Sequence, residues 1–532
     1  MRATRTNRRP LHIWMVTPEI PPLRTTGGLA DAVHGLSKAL VQRGHSVSVF
    51  VPSFTGTIER AIRDVHFRGQ KVDIRPAPNL TMKLGHHPEV ETWILSMDIP
   101  LGANRPEFIK YYFVDTKAGN WFGNRNRIYG YPDDASRFLF FDKVAADFYS
   151  RTQYEYTNGN RRITTPDLIH GHDWATGFLG YFLRHFDPKL KKLPFVYNVH
   201  NLTYTTPISM EDFRHLTGEN NPWAYSTEGM EFFGRIDPHK AAFRFADRVV
   251  FVSPTYRKEA ISGDVPMPAK LYDGLLQSIE ERTRAVLNGI PDNYCVERFV
   301  ENGSLPEKYS PDNLGGRMAA RKLLAEVGQL NIDDNSLILS ATGRWAEQKG
   351  TDATIAALHT LMKENPRLYF ATVGSEAKGE TYEERIRDLG SKFPNRVAIF
   401  GFDDDVSPIL TRENLEALVL AGGSYLSMPS QFEPCGLGQL KALKLGLPVI
   451  ANRTGGLADT IKDMSTGFHL GGSSVIHIIE GIRRASNVYQ GDQEKYLEMS
   501  TQAMRQNNSW SRAAELYEAI YYEAIDLRAD EA

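Results

Sequence analysis

The sequence predicts an α/β protein made of two similar, doubly wound domains that face each other. The chain of 532 residues is longer than a single hydrophobic core of about 250–300 residues supports. Apolar strand-like runs alternate with helical patterns in both halves, which indicates βαβ units. The hexapeptide TGGLAD occurs twice, at Thr26–Asp31 and Thr454–Asp459. Because ligands bind beyond the carboxyl ends of the strands in such sheets, we expect one active-site cleft between the domains.

The first predicted domain covers residues 11–290 and follows a basic tail of residues 1–10. It opens with an apolar run, a proline-rich loop, a glycine turn at Gly27-Gly28 and a helical pattern. The runs that we predict as strands are apolar and mostly end at a polar residue or a proline; they cover residues 11–16, 46–52, 167–170, 195–200 and 248–252.

The second predicted domain covers residues 336–505. Asn, Gly, Pro and Ser interrupt the pattern before it, so residues 291–335 are predicted as a linker region. Residues 506–532 are predicted to contain a C-terminal helix. The predicted strands of this domain cover residues 336–342, 368–373, 397–400, 425–430 and 448–451.

The composition excludes several classes of protein. Lys and Arg number 62 and Asp and Glu number 64, so the net charge of -2 argues against a globally basic nucleic-acid binder. The 2 cysteines exclude a disulfide framework and a Cys-rich zinc module. No window reaches the apolar run of about 18 residues that a membrane span needs. Since no signal-peptide core follows the basic tail either, we expect a cytoplasmic protein with no nucleic-acid or membrane partner.

Two glycine turns and two cations are candidates for binding phosphate. Gly27-Gly28 and Gly436-Leu437-Gly438 each precede a helical pattern, where bare amides suit a phosphate; a tight packing turn is the alternative. Arg344 and Lys349 follow a predicted strand and could clamp a phosphate, or could form surface ion pairs. The strict dinucleotide and P-loop fingerprints are missing, so a simple NAD enzyme and a P-loop NTPase are excluded.

Histidine, glutamate and cysteine residues also stand beside predicted strands and turns. His200 ends a strand, either as a substrate-facing or as a structural histidine. Glu433 precedes the glycine turn, where it could accept sugar hydroxyls or cap a helix. Cys435 fits a small residue in a tight turn better than a nucleophile. The pair His170 and His172 lacks further ligands at useful spacing, so we expect no metal site.

Together these motifs resemble bacterial glycogen synthase and plant starch synthase, the ADP-glucose-dependent retaining glucosyltransferases of the two-domain GT-B fold. The resemblance runs nearly end to end, and the run FEPCGL at residues 432–437 is its most specific part. The other matching segments are residues 18–31, 131–135, 170–174, 200–202, 253–256, 288–290, 348–350, 429–437 and 454–459.

The resemblance implies roles for individual residues. Arg344 and Lys349 would bind the donor diphosphate, Glu433 would grip the donor glucose, and His200 would contact that glucose near the reacting carbon. The further residues that it places at the donor and its phosphates are Thr25, Gly27, Gly28, Gly436, Leu437 and Phe402, the last stacked on adenine. The residues that it places beside the acceptor or the sugar are Asp31, Asp173 and Asn201. The helix near residues 510–525 would cross back to the first domain.

The implied reaction transfers glucose from ADP-glucose to the non-reducing end of an α-1,4-glucan, with retention and without a cofactor or metal. Thr25 stands where the family usually has Lys, and Gly438 stands where it usually has Thr. These departures keep two alternatives open: the same fold with another donor or acceptor, and a weakly active glucan-binding paralogue. Lys441 stands where many other GT-B enzymes have a second Glu, which favours the glycogen and starch synthase branch.

Overall fold

The computed structural model describes residues 8–21, 23, 25–67, 74–77, 80–82, 85, 90–101, 107–116, 121–157, 165–377, 379–401 and 412–530. The chain divides into two compact units. Unit 1 comprises Met1–Val252, Arg257–Val286 and Trp510–Ala532, and unit 2 comprises Ser253–Tyr256 and Leu287–Ser509.

Unit 1 is built on a ten-stranded sheet with strand order β12-β11-β8-β7-β1-β2-β6-β5-β3, in which β4 also pairs with β5. The segment from β12 to β6 is parallel, whereas β3, β4 and β6 pair antiparallel with β5. The strands are β1 (His12–Val16), β2 (Ser46–Pro52), β3 (Ile74–Pro76), β4 (Leu80–Met82), β5 (Val90–Pro100), β6 (Phe108–Thr116), β7 (Leu168–His172), β8 (Phe195–Val199), β11 (Arg248–Phe251) and β12 (Thr283–Ala285). A separate hairpin pairs β9 (Glu231–Phe232) with β10 (Arg235–Ile236).

Helices cover the parallel part of this sheet because its strands are apolar on both faces. On one face, Ile13 and Met15 join a buried cluster with the first helix and the C-terminal helix. On the other face, the ring of Trp14 packs against Phe50 and Phe148. The helices in this part of the chain are α1 (Gly28–Gln42), α2 (Thr57–Phe67), α3 (Asp134–Thr157), α4 (Leu179–His185), α5 (Met210–Thr217), α6 (Pro238–Phe245), α7 (Pro254–Ser262) and α8 (Asp273–Ser278).

The C-terminal helix, Trp510–Asp530, packs on α1. The Trp510 ring lies directly over Gly35, where a Cβ atom would overlap the indole. Trp510 and Tyr517 are almost fully buried in the same cluster as the core of α1. The last segment of the chain is therefore part of the core of unit 1, although more than 200 residues separate it from the rest of that unit.

Unit 2 contains a fully parallel six-stranded sheet with strand order β15-β14-β13-β16-β17-β18. The strands are β13 (Leu337–Trp345), β14 (Leu368–Glu376), β15 (Val397–Gly401), β16 (Tyr425–Met428), β17 (Val449–Asn452) and β18 (Gly467–Leu470). The helices are α9 (Val296–Glu301), α10 (Gly316–Val327), α11 (Thr351–Glu364), α12 (Tyr382–Lys392), α13 (Arg412–Gly422), α14 (Gly438–Lys444), α15 (Gly455–Thr460), α16 (Val475–Gly491) and α17 (Gln493–Arg505).

Both faces of the unit 2 sheet are covered by helices. Successive residues of β13 belong to two separate buried clusters: Ile338 packs with α10, α13 and α14, and Leu337 and Leu339 pack with α11, α12 and α16. Because side chains alternate between the faces of a strand, the two clusters lie on opposite sides of the sheet. The prediction of doubly wound α/β architecture is confirmed.

Two predicted boundaries differ from the structure. Residues 291–335 are part of the core of unit 2 rather than a linker, because Tyr294, Phe299 and Tyr309 are buried in one of its clusters. Within the predicted basic tail, residues 1–7 lie outside the described residues. Arg8 and Arg9 are held in place by salt bridges to Asp526 and Asp167 at 3.5 and 2.6 Å.

Candidate active site

In unit 1, the candidate residues follow the carboxyl ends of three neighbouring strands. The central strand β1 lies between β2 and β7, and β8 pairs with β7 on the far side. Glu19 follows β1, Asp173 follows β7, and His200 follows β8. The strand order reverses direction at β1, and such a switch point opens a crevice at the carboxyl edge of a parallel sheet. The fold therefore brings these loops to one edge, as the sequence predicted.

Asp173 is held in an unusual backbone conformation and is buried. Its φ of 63° and ψ of -179° lie outside the regions that ordinary residues occupy. Its amide donates to the carbonyl of Asn198 at 2.9 Å, and its Oδ1 accepts from the amides of His200 and Asn201, each at 3.4 Å. Burial raises the pKa of Asp173 to about 7, against the opposing effect of those amides, and the nearby Glu19 carboxylate raises it further. The residue thus titrates near neutral pH.

Burial keeps His200 neutral, and a chain of hydrogen bonds sets its tautomer. The Tyr517 hydroxyl donates to Oδ1 of Asn198 at 2.6 Å, so the amide nitrogen of Asn198 faces Nε2 of His200 at 3.1 Å. Because an amide NH₂ can only donate, Nε2 accepts and the ring proton resides on Nδ1. Burial of the ring lowers the pKa of His200 to about 3. His200 therefore presents an N–H donor at Nδ1 and carries no charge at neutral pH.

His170 and His172 extend this buried network. His170 Nδ1 lies 2.9 Å from the hydroxyl of Tyr521, and His172 Nδ1 lies 3.2 Å from Nε2 of His200. Burial lowers the pKa of His170 to about 3 and that of His172 well below its usual value. Among the described residues, no group of three or more His, Cys, Asp or Glu side chains is arranged to hold a metal ion. The absence of a metal from the reaction stays a prediction.

The first glycine loop connects β1 to α1. Thr26 donates through its amide and its hydroxyl to the buried Glu19 carboxylate, the hydroxyl at 2.8 Å. Gly27 is extended, and a Cβ atom there would meet nothing within 4 Å. Gly28 begins α1, and Thr25 is exposed. Close packing therefore does not explain Gly27, and the space over it is open to a ligand.

Asp31 and Asn201, which were predicted with Asp173 beside the acceptor or the sugar, differ in their surroundings. Asp31 lies on the exposed side of the first turn of α1. Asn201 uses its side-chain oxygen to accept from the amide and hydroxyl of Thr203, at 3.0 and 2.7 Å. The Asn201 side chain thus stabilises the loop after His200, while the backbone amide of Asn201 donates to Oδ1 of Asp173.

In unit 2, the candidate residues lie where the strand order reverses, between β13 and β16. Arg344 is near the end of β13, Lys349 precedes α11, and Glu433 follows β16. Arg344 and Lys349 line the same small pocket with Thr342, Met428 and Ser430. Glu433 is buried and accepts from Ser430 at 3.1 Å and from the Lys349 ammonium, both on Oε2. The predicted cations and carboxylate are therefore brought together.

The second copy of the hexapeptide has a packing role. Cβ atoms at Gly455 and Gly456 would overlap the carbonyl oxygens of Glu433 and Cys435. Gly456 also donates its amide to the carbonyl of Glu433 at 3.1 Å. These two glycines hold the loop that carries Glu433, whereas Gly27 in the first copy faces open space. The two copies of the hexapeptide therefore have different structural roles.

The remaining predicted residues of unit 2 lie in the turn before α14 or outside the described residues. Gly436 has a φ of 76°, which favours glycine, and Leu437 precedes α14. Burial raises the pKa of the Cys435 thiol to about 12, so this cysteine is protonated at neutral pH and is not a nucleophile. Phe402 lies outside the described residues. The phosphate contacts of Gly436 and Leu437 stay predictions.

Sequence reasoning missed three residues of the unit 1 network. Asn198 lies inside an apolar strand, where a buried amide signals a specific partner. Tyr517 is 319 residues away from it in the chain, so no local pattern reveals their bond. Glu19 belongs to a segment that resembles the family, but no role was predicted for it. A carboxylate between prolines and before a glycine turn is a pattern that could have indicated one.

The comparisons with known proteins cover nearly the whole chain. Residues 12–275 match the starch synthase catalytic domain, and residues 325–506 match the glycosyl transferases group 1. Glycogen synthase from Moorella thermoacetica is 31% identical over 536 residues, covering 98% of each chain. Glycogen synthase from Thermodesulfovibrio yellowstonii is 30% identical over 527 residues, covering 97% of this chain and 98% of that one.

The chain belongs to the glycogen synthase family. It is a glycosyltransferase of the glycogen and starch synthase type, as the motifs predicted. The catalytic domain of starch synthase IV from Arabidopsis thaliana, bound to ADP and acarbose, matches with a TM-score of 0.80 at 23% identity. That match covers 97% of this chain and 100% of the other, and it confirms the GT-B fold. Sucrose-phosphate synthase from Thermosynechococcus elongatus matches with a TM-score of 0.56 at 17% identity, covering 97% and 100%.

Three expectations stay predictions for this family member. One is that the loops of the two units line a single cleft. Another is the cytoplasmic location. Within the described part of the chain, no helix combines the length and apolarity that crossing a membrane requires. The third is the role of each site residue toward donor and acceptor.

Proposed function

We propose that this glycogen synthase family member transfers glucose from ADP-glucose to the non-reducing end of an α-1,4-glucan, with retention and without a metal ion. The observation that carries the proposal is the meeting of two cations and a buried carboxylate at the switch point of unit 2. Arg344 and Lys349 line one pocket, and Lys349 binds Glu433. This set matches a ligand with an anionic diphosphate and a hydroxyl-rich sugar.

The cations support departure of the leaving group. Transfer breaks the bond between the anomeric carbon of glucose and an oxygen of the diphosphate, and negative charge develops on that oxygen. Arg344 can clamp a phosphate through two N–H groups, and Lys349 adds a point charge. Charges that are already in place stabilise the transition state without reorganisation, which removes the need for a metal.

The carboxylate orients the sugar. The bonds from Lys349 and Ser430 both end on Oε2 of Glu433. We assign Oε1 to the hydroxyls of the donor glucose, so that Glu433 can accept from the sugar while Lys349 remains between the carboxylate and the diphosphate. A buried carboxylate with a charged partner keeps its geometry when the donor binds, which holds the anomeric carbon in a reactive position.

The unit 1 residues suit a reacting carbon that gains positive character. A charged histidine beside such a carbon would oppose the reaction, whereas His200 is neutral and offers Nδ1–H to a sugar hydroxyl. Asp173 has a pKa of about 7, so it can accept from an acceptor hydroxyl as a carboxylate or donate to one as an acid. Its fixed backbone conformation places it beside the loop of His200.

The test is glucose incorporation into glycogen by the purified protein, with ADP-glucose and UDP-glucose side by side and with EDTA present. We expect incorporation that prefers ADP-glucose and is unchanged by EDTA. Preference for UDP-glucose would contradict the donor assignment, and loss of activity with EDTA would contradict the metal-free reaction.

A different donor is the second candidate, because two donor-side positions depart from the family. Thr25 is exposed in the loop before α1, and Gly438 begins α14. Replacing Thr25 with Lys adds the usual charge. If ADP-glucose is the donor, Thr25→Lys should lower its KM; if another nucleotide sugar is used, the change should leave ADP-glucose turnover unimproved.

A further inference from the structure

A cavity of unit 1 lies at the opposite edge of the sheet from Asp173 and His200. It has a volume of about 420 Å³ and five arginines in its wall. Asp247 and Arg248 lie at the amino end of β11, and Arg282 precedes β12. Because Asp173 and His200 follow the carboxyl ends of β7 and β8, this cavity is separate from the candidate active site.

The cavity wall carries an excess of positive charge. The arginines that line it are Arg184, Arg244, Arg248, Arg282 and Arg528. The carboxylates that line it are Asp247 and Glu281. The buried Asp247 binds Arg184 at 3.1 Å and Arg528 at 2.6 Å. A third carboxylate, Glu523, binds Arg248 at 3.0 Å. Five guanidinium groups against three carboxylates leave a formal charge of about +2 at this concave wall.

Structural bonds orient these arginines, and Asp247 and Glu523 neutralise two of the five charges. Arg282 donates to the carbonyls of Phe243 and Ala246 at 2.9 and 2.8 Å, and Arg184 donates to the carbonyl of Leu193 at 2.9 Å. Carbonyl groups are neutral, so these bonds leave the charge of the arginines unchanged. The guanidinium groups are thereby held in place before any ligand arrives, which lowers the entropy cost of binding one.

Arg244 is the member of the set that fits a ligand contact best. It lies exposed in the last turn of α6, with its guanidinium carbon 5.6 Å from the centre of the Trp223 ring. An arginine stacked on an aromatic ring keeps its planar N–H edge available for an anion. Phe245 and Leu527 supply apolar wall beside the charges.

We propose that this cavity binds a small molecule that carries a phosphate group. A guanidinium fork matches two phosphate oxygens, and several such groups together favour a phosphate with more than one negative charge. The volume exceeds that of inorganic phosphate and leaves room, beside the apolar wall, for an organic part about the size of a sugar. This site is additional to the proposed donor site of unit 2.

The test is calorimetric titration with pyrophosphate in a Lys349→Ala background, which weakens the donor site. We expect saturable binding of about one equivalent that Arg244→Glu weakens by about tenfold or more. Arg214→Glu is the matched control, because Arg214 also lies exposed on a short helix and stacks on an aromatic ring, Tyr225, at 4.9 Å. The control should bind like the background.

Equal weakening by Arg244→Glu and Arg214→Glu would overturn the proposal, because it would show a general effect of charge. Absence of saturable binding would overturn it as well. A second measurement does not depend on a variant: crystals soaked in tungstate, a heavy mimic of phosphate, should show an anomalous peak beside Arg244 and Arg282. Peaks confined to the donor pocket of unit 2 would contradict the assignment.

Discussion

Replacing Asp173 with Asn should stabilise the protein more at alkaline pH than at acidic pH. Burial raises the pKa of this carboxyl from its ordinary value of 3.8 to about 7. The folded protein therefore keeps a proton that the unfolded chain releases above about pH 4. Stability from this group is complete at low pH and is lost as the pH rises from about 4 to about 7. Asn has a similar shape, tolerates a positive φ and does not titrate.

The expected magnitude follows from the two pKa values. A difference of about 3 pH units corresponds to a total loss of about 4 kcal/mol of unfolding free energy above pH 8. About 1.6 kcal/mol of this is already lost at pH 5, because the unfolded carboxyl is ionised there. The advantage of Asp173→Asn over the native chain should therefore grow by about 2.7 kcal/mol between pH 5 and pH 8.5.

The assay is urea unfolding followed by tryptophan fluorescence at both pH values, for the native chain, Asp173→Asn and Asp264→Asn. Asp264 is exposed and accepts from the Ser262 hydroxyl at 2.6 Å, so its replacement controls for the loss of a carboxylate. Comparing the variants at each pH cancels the titration of all other groups. An Asp173→Asn advantage that is the same at pH 5 and pH 8.5 would refute the argument that burial of this carboxyl costs stability.

Four further substitutions test the site. Tyr517→Phe removes the hydroxyl that orients Asn198 toward His200; it should lower kcat about tenfold with little change in KM, and ¹⁵N NMR should show a changed His200 tautomer. Gly456→Ala should lower the melting temperature markedly because its Cβ would overlap a backbone carbonyl, whereas Gly27→Ala should melt like the native chain. Gly438→Thr should fold normally, since the nearest atom to a Cβ there is 3.5 Å away, and should lower the KM for ADP-glucose through the added hydroxyl. Equal melting temperatures for Gly456→Ala and Gly27→Ala would contradict the packing role of Gly456. A higher KM for ADP-glucose in Gly438→Thr, measured by steady-state kinetics, would contradict the role of the added hydroxyl.

Most strands of the parallel regions could be predicted because they are largely apolar runs that end at a loop with polar or glycine residues. The short parallel strands β12 and β18 were missed because Thr283–Ala285 and Gly467–Leu470 are not apolar runs. The strands β5 and β6, which pair antiparallel with each other, were also missed because they lie outside the repeating βαβ units. The predicted linker was wrong for a different reason. Asn, Gly and Pro are frequent around residues 288–316, but Tyr294 and Tyr309 among them are buried and fix the segment to unit 2.

The candidate site could be predicted where residues are close in the chain or belong to a specific motif. Lys349 and Glu433 were both named, and the structure joins them because β13 and β16 are neighbours in the sheet. The bond between Tyr517 and Asn198 could not be predicted, because it depends on how the C-terminal helix packs in unit 1. The distinct roles of the two identical hexapeptides also needed the structure.

The fate of the anomeric carbon of glucose tests the proposed transfer reaction most directly. ADP-glucose labelled with ¹³C at the anomeric carbon is incubated with maltoheptaose and the protein, or with its Glu433→Gln variant, and the product is followed by NMR. We expect a new α-1,4 anomeric signal at the non-reducing end, formed by the native chain and reduced by on the order of a hundredfold in the variant. Free glucose as the product, a β-linked signal, or an equally active variant would contradict it.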